Sequence, residues 1–127
     1  MKHNLASTFV VLQPNQRGVL VENSPEVFEE LDRRFSGFKG HVLVATFSFD
    51  ADWTTWERHP AGDELVCLLS GSATLVLDRE GACETIELQK PGEYVLVPKG
   101  AWHTARTDVP TNMLFVTPGE GTENKPV

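Results

Sequence analysis

The chain has 127 residues, 40% of them hydrophobic and 23% charged, a composition that suits one globular domain with one core. Its 18 acidic residues against 11 basic ones leave a formal charge of −7, which repels phosphate backbones and anionic lipid and argues against nucleic-acid and membrane partners. Two cysteines, Cys67 and Cys83, form neither a disulfide framework nor a CxxC pair, so a reducing, cytoplasmic compartment is the expectation.

Near the start, the apolar run Phe9 to Leu12 is soon ended by Pro14. It is too short for a signal-peptide core or a membrane span. Ser7 to Leu12 and Gly18 to Glu22 are rich in Val, Phe and Leu and predict strands. Asn23-Ser24-Pro25-Glu26 then supplies a cap residue, a first-turn proline and an early acid. Val27, Phe28, Leu31 and Phe35 follow near helical spacing, and Gly37 ends the run. A short amphipathic helix over residues 24–36, lying on a sheet, is predicted. Further strands are expected at His41–Phe49, Leu65–Leu69, Ala73–Leu77, Thr85–Leu88, Tyr94–Val97, Thr104–Thr107 and Met113–Val116. Turn sequences separate them, among them Pro60-Ala61-Gly62-Asp63, Ser70-Gly71 and Pro98-Lys99-Gly100. Many short strands with frequent turns point to an all-β sandwich or small barrel. Residues 1–118 are expected to form a single domain. The segment 119–127 has almost nothing to bury and is expected to be a loose tail. Leu65–Leu69 is apolar on both faces. One face would line the barrel and the other meet a second layer or a second copy, so a homodimer is expected.

The stretch WERHPAGDELVCLLSG, Trp56 to Gly71, carries Glu57, His59, Asp63 and Glu64. Glu57 and His59 are two apart, which on a strand places them on one face. A tight turn can return Glu64 beside them. Later, GEYVLVPKGAWHTART places His103 just after the turn Pro98-Lys99-Gly100. Two histidines and two carboxylates could so converge. Imidazole with carboxylate suits Zn, Fe, Mn or Ni, whereas the lack of thiolate disfavours a purely structural zinc. Asp63 has the wrong parity relative to Glu64 and reads as a turn residue. His3 and His41 lie outside the constellation, and Cys67 should face away from it.

These two stretches resemble the paired motifs of the cupin superfamily. The first family motif runs HxH, four residues, Glu, six residues, Gly; His59, Glu64 and Gly71 match its second histidine, its Glu and its Gly. The second runs Gly, five residues, Pro-x-Gly, two residues, His, three residues, Asn; Gly92, Pro98, Gly100 and His103 match it. Glu57 replaces the first histidine and Thr107 the last Asn. The resemblance implies a double-stranded β-helix, the jelly-roll or cupin barrel, with one short N-terminal helix. It implies one divalent metal ion (Fe, Mn, Ni or Zn) held at Glu57, His59, Glu64 and His103. Glu57 has three possible roles: a fourth ligand, a catalytic base beside the metal, or the mark of a site that no longer binds metal well.

Strand parity sketches a pocket. Trp53 and Thr55 share a face with Glu57, Val66 and Leu68 with Glu64, and Ala105 and Thr107 with His103. Phe47, Phe49, Met113 and Phe115 are candidates to close the barrel. Trp56 and Arg58 point outward. The resemblance suggests a small metal-dependent enzyme of dioxygenase or isomerase type acting on a small organic substrate. The alternative is a non-catalytic cupin that binds or senses a sugar or metabolite. A free DNA regulator is disfavoured by the acidic charge.

Overall fold

Alternation of apolar and polar residues sets the faces of most strands. The computed structural model describes residues 1–127. Its strands are β1 (Thr8–Leu12), β2 (Gly18–Glu22), β3 (Val42–Phe49), β4 (Thr55–Arg58), β5 (Glu64–Ser70), β6 (Ala73–Arg79), β7 (Ala82–Leu88), β8 (Tyr94–Val97), β9 (Trp102–Arg106), β10 (Thr111–Thr117) and β11 (Glu123–Pro126). One helix, α1 (Val27–Arg34), is followed by a single 3-10 turn over Ser36–Phe38. No helix is long and apolar enough to cross a membrane.

The strands form two antiparallel sheets, one ordered β2-β1-β3-β10-β5-β8 and the other β11-β4-β9-β6-β7. Together they make the double-stranded β-helix that the motifs implied. Inward residues of both sheets, including Val66, Leu68, Leu75, Leu77 and Met113, form the barrel core with no exposure. A second cluster joins Phe9, Val11 and Ala45 to Val27, Leu31 and Phe35 of the helical segment. It fixes the helix against the β1–β3 part of the sheet. Fully burying a Leu or Phe side chain stabilises by about 1.5–3 kcal/mol, so the first cluster holds the two sheets together and the second holds the helix on the sheet.

The helix is shorter than the expected 24–36. Ser24 does not cap it: the Val27 N–H donates to the Ser24 carbonyl at 3.1 Å, a turn that precedes the first helical residue. Beyond Arg34, Ser36, Gly37 and Phe38 take successive φ values of 53°, 69° and 62°. This left-handed run ends the helix and tucks Phe38, 3% exposed, beneath it. Phe28, counted on the apolar stripe, is instead 59% exposed. Val27, Leu31 and Phe35, four apart, occupy the buried line, and Phe28 sits one residue to its side.

The segment 119–127, expected as a loose tail, contains a paired strand. Glu123–Pro126 pairs antiparallel with Thr55–Arg58. Arg58 donates to Glu123 Oε2 at 2.7 Å, and the Lys125 ammonium sits 4.3 Å from the Trp102 ring centre. Backbone ladder and exposed polar contacts hold this strand. It buries no apolar side chain, so hydrophobic patterning carries no trace of it.

Candidate metal centre

Four side chains meet at one end of the barrel. Glu57 lies on β4 directly opposite His103 of β9. His59 follows β4 in the turn that leads to β5, and Glu64 opens β5. Two contacts tie this turn to the one before β9. The Gly100 N–H donates to the His59 carbonyl at 3.0 Å, and the Lys99 N–H donates to Asp63 Oδ1 at 2.8 Å. Asp63 is therefore a turn residue, and one that links the two motifs. Gly100 has φ 76°, a backbone state that glycine adopts without strain.

One ligand atom from each of Glu57, His59, Glu64 and His103 lies within 4.8 Å of the others. His59 Nε2 is 2.8 Å from Glu57 Oε1 and 3.1 Å from Glu64 Oε2. His103 Nε2 is 3.1 Å from Glu64 Oε1. His103, Glu64 and His59 are 0%, 1% and 4% exposed. Glu57 is half-buried and faces open space.

The outer partners decide which ring nitrogens are free. Thr122 Oγ1 donates to the Gly119 carbonyl at 2.9 Å and lies 2.8 Å from His59 Nδ1. Its proton is spent, so its oxygen accepts from Nδ1–H. His103 Nδ1 lies 3.1 Å from the Ala101 carbonyl, which only accepts, so this ring also carries its proton on Nδ1. Both Nε2 lone pairs then point inward. Glu64 Oε2 accepts from the Thr117 hydroxyl at 2.6 Å. His59 Nε2, His103 Nε2 and Glu64 Oε1 are buried without a partner of hydrogen-bond geometry. Buried polar atoms are rarely left so. Two imidazole lone pairs and a carboxylate oxygen aimed at one point fit a divalent ion such as Zn, Fe, Mn or Ni.

The same closeness shapes protonation when no ion is bound. Burial opposes a charged His59, but contacts with Glu57 and Glu64 more than offset it and raise its pKa to about 9. Burial would raise Glu64; contacts with His103 and His59 outweigh it and hold the carboxyl far below its ordinary range.

A cavity of about 640 Å³ opens onto Glu57, His59 and Glu64. Trp53 and Thr55 line it, as strand parity suggested, together with Phe47, Phe49 and Phe115, three of the candidates to close the barrel. Met113, Val66, Leu68 and Ala105 instead belong to the barrel core. Thr107, in the slot of the family's last Asn, donates to the Ser72 carbonyl at 2.6 Å and braces the β5–β6 turn. Arg58 lies outward over Trp102, 4.8 Å from the ring centre, and Cys67 stands opposite Tyr94 on the outer face. His41 packs between Phe35 and Phe38 at 5.2 and 5.5 Å, away from the centre. Sequence reasoning missed the helical wall, Phe28, Leu31, Asp32 and Phe38, and the C-terminal wall, which includes Thr122 and Asn124. Only the unassigned capacity of Thr122 to bond a histidine could have signalled the latter.

A family model described as a cupin domain matches residues 45–117, more than half of the chain. The chain belongs to the cupin family. Among solved structures, it is similar to a cupin superfamily protein from Desulfitobacterium hafniense, at 28% identity and TM-score 0.50 over 60% of this chain and 65% of that one. It is also similar to a cupin-2 domain containing protein from Shewanella frigidimarina, at 21% identity and TM-score 0.51 over 61% and 70% of the two chains. An oxalate decarboxylase from Bacillus subtilis shares the fold at 20% identity and TM-score 0.52, over 68% of this chain and 23% of that one. The match spans less than two thirds of the Desulfitobacterium chain. No curated protein matches the sequence.

Proposed function

We propose that this chain is a metal-dependent enzyme acting on a small organic molecule, with dioxygenase- or isomerase-type chemistry. The observation that carries it is the convergence of His59 Nε2, His103 Nε2 and Glu64 Oε1, buried without a partner of hydrogen-bond geometry, beside a cavity sized for a small ligand that His59 and Glu64 line. His59, Glu64 and His103 would hold one divalent ion, Fe, Mn, Ni or Zn. When bound, that ion supplies Lewis-acid or redox chemistry. Glu64 spans both histidines and sets their spacing. Thr122 and Ala101 hold the rings in the tautomer that presents Nε2. Glu57, 2.8 Å from His59 Nε2 and with its side chain 28% exposed to the cavity, completes the ligand set or takes a proton from a bound molecule. Trp53 and Phe115, with ring centres 6.0 Å apart, keep one wall of the site dry. The oxalate decarboxylase neighbour supports hosting small-molecule chemistry on this fold, although fold alone assigns no reaction.

A homodimer and a cytoplasmic setting belong to the same proposal. The outer face of the six-stranded sheet supports the dimer: Leu20, Val10, Val44, Val116, Leu65 and Leu96 follow one another in register across it.

The test is elemental analysis of untagged protein purified without chelators. The wild type should carry about one equivalent of metal per chain, and His103→Ala should lose it. Metal retained in Glu57→Ala makes Glu57 the base; metal lost makes it a ligand. A wild type that takes up no ion even on reconstitution favours a non-catalytic binding barrel, the second reading that an aromatic cavity allows.

A further inference from the structure

The charges around the cavity are one-sided. Asp32, Glu57 and Glu64 line it, and no lysine or arginine does. Strand parity is the cause. On β4 and β11, Glu57 and Asn124 stand opposite each other and face the cavity, while Arg58 and Lys125 turn outward onto Trp102. A divalent ion held by Glu57 and Glu64 would be formally neutralised by its own ligands, and Asp32 would remain. His59 apart, no group in the wall could compensate a ligand carrying two negative charges, and an uncompensated buried charge is strongly disfavoured.

The apolar part of the wall is aromatic. Trp53 lies 6.4 Å from the His103 ring and 5.7 Å from Phe49. Phe47 stacks on Phe28 at 6.1 Å, and Phe28, exposed yet lining the cavity, stands at the mouth. Phe38 reaches the wall from the left-handed run at Ser36–Phe38. Backbone strain of this kind persists where the surrounding structure over-determines it, often beside a ligand. Aromatic faces flanking a space of about 640 Å³ match a ring-bearing molecule rather than a two-carbon acid.

We propose that this cavity selects an uncharged, ring-bearing molecule with its polar end directed at the metal centre, and excludes dicarboxylates. The proposal rests on the metal-centre reading above for the polar end alone; the ring and charge selectivity come from the wall. Four probes separate size from charge: catechol and phthalate carry a ring, whereas ethylene glycol and oxalate do not, and phthalate and oxalate are dianions. Binding to the full chain is measured by calorimetry, both metal-free and loaded with redox-silent Zn(II), with metal content determined on the same samples.

Catechol is expected to bind at least about tenfold more tightly than each of the other three. Phe28→Ser, at an exposed position, should weaken catechol severalfold. Asp32→Lys should raise phthalate affinity about tenfold or more by placing a cation at the wall. Oxalate or phthalate binding as tightly as catechol, no catechol binding in either form, or no gain for phthalate in Asp32→Lys would overturn the proposal. Failure of the metal reading looks different: no zinc is retained, while catechol still outcompetes phthalate in metal-free protein. Zinc retained with dianions bound equally well sinks the selectivity and leaves the metal centre standing.

Discussion

Thr122 is the least conspicuous member of the centre and the easiest to test. Its hydroxyl accepts from His59 Nδ1 and donates to the Gly119 carbonyl, so it fixes both the tautomer and the direction of the ring. Removing such an outer partner typically costs about 10–100-fold in metal affinity. Thr122→Val, nearly the same size, should show that loss in a chelator competition titration while the unfolding midpoint of metal-free protein barely moves. The protonation of His59 makes a second prediction. Its pKa is raised from 6.5 to about 9, so its contribution to metal-free stability is full below pH 6.5 and is lost as pH rises through 9. Glu64 is shifted the other way from 4.5, so its contribution is full above pH 4.5 and is lost as pH falls. Metal-free protein should thus be most stable between pH 4.5 and 6.5. An incoming ion must displace the His59 proton, so its apparent affinity should rise about tenfold per pH unit from pH 6.5 and level off near pH 9. Unfolding scans and metal titrations across this range check both slopes; a metal affinity flat from pH 6.5 to 9 would mean that the ion displaces no proton from His59 in that range.

At the scale of elements, the turns carry more of the design than the strands. Gly71, the glycine that closes the first motif, has φ 80°, and a Cβ there would clash with the Pro110 carbonyl oxygen. The β5–β6 turn passes against the start of β10 with no room for a side chain. Gly71→Ala should cost at least about 1–3 kcal/mol of strain, with the clash added, and urea denaturation should show a large drop in midpoint. Motif spacing is legible in sequence for this reason: it records places where backbone, ligand and turn geometry leave no alternative. Glu57, His59, Glu64 and His103 were legible because strand parity and turn placement allow them to converge and the spacing of the paired cupin motifs singles out their positions. The strands β2 and β8 were placed to the residue because alternating Val and Leu mark them plainly. The rest was hidden for physical reasons. β11, with the sequence ENKP, is held by backbone bonds and a salt bridge, and neither leaves a hydrophobic pattern. The helical wall of the cavity depends on how α1 docks, and Phe28 and Phe38 change roles with a left-handed run that Gly37 alone hints at. Parity also says which residues face inward, but not how deep in the barrel they lie, which is why Val66 and Ala105 fell in the core.

For the whole molecule, the apolar row across the outer sheet is the feature most open to a solution experiment. Tyr94 and Leu96 on β8 are 60% and 57% exposed, an unusual cost for an edge strand with no cover. Light scattering should report twice the mass of one chain, and Leu96→Glu should shift it toward a single chain without changing metal content. A monomer in the wild type would leave the face unexplained by self-association. The tethers around the centre have a further consequence, in time rather than in space. Glu64 is braced from 53 residues away by Thr117, and His59 from 63 residues away by Thr122. Contacts this distant in sequence close late, after most of the loop entropy has been overcome. A divalent ion would therefore have no early template to organise: the barrel would fold first, with a proton on His59 as placeholder, and the metal would arrive at a finished socket. Folding rates should accordingly be indifferent to added metal, while unfolding slows as the socket fills.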